Sequence, residues 1–155
     1  MDVTIDDSYK YTVKNAEDKK GFHIKQATLA LGTDVNLVFY YTLDDGKKVT
    51  DYDFALTENS SASNKVLEQG YDNAKKMNYV IIPHILPNQL STMYTLAVTP
   101  KNESQAVMTL TYSPYTFMKA KIERDTTEGS KQETLKKLCK SLYAYCKAAN
   151  ALLNQ

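Results

Sequence analysis

The sequence predicts a mainly β (α+β) fold: an antiparallel β-sandwich of about seven strands with a C-terminal two-helix hairpin packed on it. Apolar and polar residues alternate through much of the first 113 positions, the spacing of strands with one buried face. Turn-forming residues break that alternation at short intervals, as they do in sandwiches. At Ser113-Pro114 the apolar period changes to that of a helix. A chain of 155 residues can bury one core and has little left for a second. Residues 1–155 are therefore read as one domain, with 1–113 the sandwich and 114–155 the helical hairpin.

The strand signals run in order. Tyr9 to Val13 alternates, and Gly21 to Leu31 continues the period-two pattern up to a turn at Gly32. Val35 to Leu43 is dense in β-branched and aromatic residues, which suits a central strand. Its pattern puts Val35, Leu37, Phe39 and Tyr41 on one face and Asn36, Val38, Tyr40 and Thr42 on the other. Asp44-Asp45-Gly46 then predicts a hairpin turn, with Val49 to Leu56 returning beside Val35–Leu43. Residues 57–78 are polar and are read as short strands or loops. Asn78 to Leu86 is a further strand ending at Pro87, and Thr92–Thr99 pairs with Gln105–Tyr112 across the Pro100–Ser104 loop.

Ser113 is placed to accept from the free amides of a first helical turn, and Pro114 lacks an amide that would go unpaired there. Tyr115, Met118 and Ile122 give this short helix an apolar face, and the helix ends near Arg124. Ser130-Lys131-Gln132-Glu133 has the capping-box form and opens a second, longer helix. Leu135, Leu138, Leu142, Tyr145, Ala149 and Leu152 form the stripe expected to bury against the sheet face and the first helix. Cys139 and Cys146 lie about 10 Å apart along that helix and cannot bridge each other. We read them as small apolar fillers.

Charge and spacing exclude several chemistries. The net charge is +1 from 19 basic and 18 acidic residues, so no global field gathers nucleic acid or anionic lipid. The balance is uneven: residues 1–113 carry 11 basic and 14 acidic side chains, and residues 114–155 carry 8 and 4. No apolar run reaches the roughly 18 residues of a membrane span, so no membrane insertion is expected. The isolated glycines make no phosphate-binding loop. His23 and His84 fall in separate strands and are read as structural, so no catalytic residue is assigned. Asp44, Asp45, Asp51 and Asp53 flank the predicted hairpin and offer oxygens to a hard cation. Turn chemistry accounts for them more simply. Asp125 to Gly129 resembles a calcium loop only loosely, because its glycine comes one position early. No metal and no cofactor are expected.

The unusual feature of the composition is tyrosine, with 12 Tyr, 4 Phe and no Trp. Tyrosine is a natural strand residue that buries its ring and wets its hydroxyl. Exposed tyrosines also make rigid stacking surfaces, and Tyr40 and Tyr52, placed on the outer side of the predicted hairpin, are the candidate ligand-binding residues.

The chain resembles a domain found near the C-termini of secreted, multimodular surface proteins of anaerobic gut Firmicutes. The matching stretches are Ala27 to Gly32 leading into Val35 to Tyr40, then Ile85 to Leu96, Tyr112-Ser113-Pro114-Tyr115, and Leu138 to Asn150. Cys146 and Lys147 stand where that group has small residues, including glycine. The resemblance implies a non-catalytic accessory module, secreted or on the cell surface. It would act as a spacer or protein-interaction element, with other modules of the same polypeptide or a surface protein as partner. A carbohydrate-binding module that uses surface tyrosines on a polysaccharide is the alternative.

Overall fold

The computed structural model describes residues 5–31, 34–124 and 126–153, so the expected turn at Gly32 and Asp125 of the interhelical loop lie outside the described residues. Among the described residues nine strands form two antiparallel sheets. We label them β1 (Thr12–Asn15), β2 (Phe22–Leu31), β3 (Val35–Leu43), β4 (Tyr52–Glu58), β5 (Ser61–Ala62), β6 (Glu68–Asp72), β7 (Met77–Ile85), β8 (Tyr94–Pro100) and β9 (Met108–Tyr112). One sheet has the order β1-β9-β8-β4-β5 and the other β2-β3-β7-β6. Two helices follow, α1 (Pro114–Ile122) and α2 (Lys131–Leu153). The short strands β5 and β6 occupy the polar stretch that the alternation left open. Among the described residues no helix is long and apolar enough to cross a membrane.

The core lies between the sheets. Leu37, Phe39 and Tyr41 of β3 and Val80 and Ile82 of β7 meet Leu96 and Val98 of β8 and Met108 and Leu110 of β9, all of them buried. The strict alternation of buried and half-buried residues in β8 and β9 is the expected pattern of strands facing a core on one side.

Two strands keep their apolar sets inward only by a change of register. On β2, Phe22 and Ile24 pair with Leu43 and Tyr41, and Ala27 and Leu29 pair with Phe39 and Leu37. The two sets differ in parity, and the irregularity at Lys25 absorbs the extra residue. On β7 the same device lies between Ile82 and Ile85, and His84 takes a left-handed φ of 56° there.

The expected hairpin between β3 and β4 is not formed. Both edges of β3 are occupied, by β2 and β7, and β4 pairs instead with β8 and β5 in the opposite sheet. The Asp-Gly turn exists, with Lys47 N–H donating to the Asp44 carbonyl at 3.0 Å. A 3-10 turn, Val49–Asp51, then extends the connection, long enough to cross the roughly 10 Å between sheets. The crossing brings Tyr52 and Phe54 of β4 against Phe22 of the facing sheet, with ring centroids 5.6 and 6.1 Å apart.

Helix α1 begins as expected. The Ser113 side chain accepts from Thr116 N–H at 3.1 Å, and the Thr116 hydroxyl accepts from Ser113 N–H at 3.1 Å. Tyr115 through Lys119 and Ile122 are all buried, because α1 is enclosed by β2, by the 3-10 turn Asp7–Tyr9 and by α2. Helix α2 is capped by Ser130, which accepts from Glu133 N–H, while the Glu133 carboxylate accepts from Gly129 N–H at 2.7 Å.

The stripe expected on α2 is rolled from its predicted position. The helix packs chiefly on α1 and on the 3-10 turn Pro87–Gln89 that follows β7, rather than on a sheet face. Its innermost residues are Cys139 and Cys146, both 0% exposed, with Leu135, Leu142 and Tyr143 beside them. Leu138, Tyr145 and Leu152 are 43%, 60% and 68% exposed. Tyr115 and Tyr143 fill the seam between the helices with rings 5.1 Å apart, and the compact Cys146 thiol lies against Tyr115.

Candidate functional site

The tyrosines singled out from the sequence separate. Tyr40 lies on the outer face of the β2-β3-β7-β6 sheet, half-buried, with the Tyr79 ring edge-on at 6.4 Å and the Lys75 ammonium 5.1 Å from its ring centre. Gly70 makes this arrangement possible, since a Cβ there would fall 2.3 Å from the Tyr79 hydroxyl oxygen. Tyr52, expected on an outer side, is 4% exposed and turned inward. Its hydroxyl donates to the Lys20 carbonyl, and the crossover of β4 between sheets is what reverses its direction. Gly21 is required beside it: its φ is +83°, and a Cβ would meet the Lys47 side chain at 2.9 Å. Tyr52 offers no ring face to a ligand.

The candidate titrating groups do not converge. His23 pairs with Asp44 at 2.9 Å, and His84 pairs with Asp34 at 2.8 Å. His23 lies opposite Thr42 and the His84 N–H bonds Asn36, so six steps along β3 separate them, about 20 Å. The bulge at His84 is held by its neighbours: the Lys65 ammonium donates to the Pro83 and His84 carbonyls at 3.1 and 2.9 Å. The acidic residues of the crossover are also used singly. Asp51 accepts from Lys48 N–H, Asp53 pairs with Lys101 at 3.0 Å, and Asp44 serves His23. Among the described residues no three His, Cys, Asp or Glu side chains stand close enough to share a metal ion. Burial pushes the Cys139 thiol up to about 11, so it is protonated near neutrality and a poor nucleophile.

The best-formed concavity is one that sequence reasoning did not find. It lies between the N-terminal segment, the bulge of β2 and helix α1, with a volume of about 360 Å³. The expected strand starts three residues later than Tyr9. Asp7–Tyr9 is a 3-10 turn, with Asp6 accepting from Ser8 N–H at 2.7 Å, and β1 starts only at Thr12. That turn brings Tyr9, Lys10 and Tyr11 to one wall, and the bulge brings Lys25 and Gln26 to another. Tyr11 packs edge-on against buried Tyr112 with centroids 5.5 Å apart at 82°. Tyr9 packs against Tyr115 at 5.1 Å.

Lys119 joins α1 to the N-terminal segment below this cleft. Its ammonium, on a residue 6% exposed, donates to the Ile5 carbonyl at 2.8 Å and pairs with Asp7 at 3.1 Å and with Glu123. The hydrogen bond that Lys119 donates to Glu123, then the one it donates to Asp7, hold the Lys119 pKa above the ordinary lysine value. The Asp7 carboxylate is correspondingly held below its ordinary range by Lys119. Lys119 thus ties Asp7 of the N-terminal turn to Glu123 of the segment after α1, which suits holding a surface in shape.

No family model, curated protein or solved structure matches the chain. The two features the geometry sets apart are an aromatic cleft with lysines at its edge and an outer tyrosine pair, while the titrating groups lie dispersed. No tell-tale spacing announces the cleft, because its walls come from segments about a hundred residues apart. The Tyr9-Lys10-Tyr11 run is its one local trace.

Proposed function

We propose that this domain is a non-catalytic accessory module, a protein-interaction element of a larger extracellular or surface protein of bacterial origin. The observation that carries the reading is the outer ridge of α2. Leu138, Tyr145 and Leu152 recur every seven residues, so they line up along the helix, and the fold leaves all three exposed. Lys137, Lys140 and Lys147 are carried on the same helix, whose described charges are otherwise one glutamate and two further lysines. An apolar ridge of this spacing on a basic helix suits an acidic partner surface with a matching groove. The resemblance of residues 138–150 to the last helix of surface-protein modules supports the same reading.

Hydrogen exchange tests it. The isolated domain is compared with the longest natural polypeptide that contains it, and exchange of the amides from Leu138 to Leu152 is followed. Slower exchange in the longer chain, lost when Tyr145 is changed to Glu, supports the interface. Equal exchange in both contradicts it.

The second reading, a carbohydrate-binding module, is favoured by one observation: Tyr40 and Tyr79 share the outer sheet face, and Gly70 clears the space beneath Tyr79. Tyr40→Ala is expected to abolish retention on an insoluble polysaccharide column if that face binds glycan. Unchanged retention would place any glycan site elsewhere.

A further inference from the structure

We infer that the cleft between the N-terminal turn, the bulge of β2 and α1 binds a carboxylated sugar, a uronate unit of an acidic polysaccharide. This goes beyond the α2 interface and shares no residue with it, nor with the Tyr40 face.

The volume comes first. About 360 Å³ falls at the small end of ligand pockets, enough for one or two sugar rings. Its principal exposed surface is Tyr11, 47% exposed and held edge-on by buried Tyr112. A ring so fixed offers area at little entropic cost, and the C–H face of a pyranose stacks on such a ring.

Charge then selects the ligand. Lys119 is already neutralised by Asp7 and Glu123. Lys10 and Lys25, one on each wall, have no carboxylate within ion-pair distance among the described residues. Lys119, Asp7 and Glu123 sum to one negative charge, and Asp7 also feels Lys10, so Lys10 and Lys25 leave the cleft one positive charge in excess, the complement of a single carboxylate. Gln26, exposed on the same space, offers an amide to sugar hydroxyls.

The backbone argues against an extended acidic peptide. Adding a strand requires a regular edge, but one wall is the 3-10 turn Asp7–Tyr9 and the other is the bulged part of β2 at Lys25. Neither presents one.

The experiment is a titration of the intact domain, by calorimetry and by amide chemical shifts, with three probes: a tetragalacturonate, its methyl ester, and a glutamate-rich tetrapeptide. The expected result is binding of the tetragalacturonate, weakened by salt, with shifts at Tyr11, Lys25 and Gln26. The ester and the peptide are expected to bind at least about tenfold more weakly. A Lys10→Ala, Lys25→Ala double variant and Tyr11→Ala should each lose the tetragalacturonate, while Tyr40→Ala keeps it. Lys10, Tyr11 and Lys25 are exposed, and an unchanged thermal midpoint confirms that each variant folds. Equal binding of the ester, preference for the peptide, retention by the double variant, or no binding of the tetragalacturonate each overturns the inference.

Discussion

At the scale of single residues, the fold depends on small groups in constrained places. Lys119 is the clearest, a buried ammonium with three oxygen partners on two segments over a hundred residues apart in sequence. Lys119→Met is expected to lower the thermal midpoint and to free the first described residues, checked by calorimetry and by proteolysis near Tyr9. Its pKa is raised on folding, so its contribution is complete below the ordinary lysine value of 10.5 and is lost as pH rises through the higher folded value. The acid side has the opposite sign. Asp6, Asp7, Asp18 and Glu133 are all held below their ordinary values, Asp6 and Asp18 first by backbone N–H groups of Ser8 and Lys20, Asp7 and Glu133 first by Lys119 and Lys137. Each contributes above its ordinary pKa, 3.8 for the aspartates and 4.5 for Glu133, and loses that contribution as pH falls through the lowered one. Urea midpoints should therefore be flat from about pH 6 to 8 and fall on acidification below about pH 4.5. A midpoint that holds through pH 3 would contradict these pairings. Such partners are illegible in the sequence, where Lys119 looks like any wet-side lysine.

At the scale of elements, end signals were legible and orientations were not. Ser113-Pro114 and Ser130-x-x-Glu133 marked both helix starts, because a cap is a local arrangement of a few residues. Ser113→Ala is expected to cost about 1 kcal/mol, measured by urea unfolding. Strand β3 was legible to its faces, since its period is two and its neighbours did not disturb it. The roll of α2 was not, because a hydrophobic ranking prefers Leu138 to Cys139, while packing against α1 leaves Cys139 wholly buried and Leu138 exposed. Cys139→Leu is expected to destabilise by about 1–3 kcal/mol through overpacking. With both thiols buried and Cys139 pushed up to about 11, a maleimide at pH 7.5 should label neither cysteine until the chain is unfolded. Labelling of the native protein at the rate of a free thiol would contradict the placement of α2.

At the scale of the whole molecule, the sandwich and its helical hairpin followed from alternation and from the change of period at residue 113, because both are averages over many positions. The path of the chain between sheets did not follow. An Asp-Gly turn serves a hairpin and a crossover alike, and only the occupation of both β3 edges decides between them. The cleft was illegible for the same reason, being assembled from a turn, a bulge and a helix that meet only in the folded state. The outer ridge of α2 is what such assembly leaves over: apolar side chains that the core does not use. Thermal unfolding of the triple variant Leu138→Ser, Tyr145→Ser, Leu152→Ser tests that most directly. Unfolding within about 1 kcal/mol of the parent protein is the result the account predicts, since surface substitutions away from packed features cost little. A loss of several kcal/mol would place the ridge in the core and remove the interface with it.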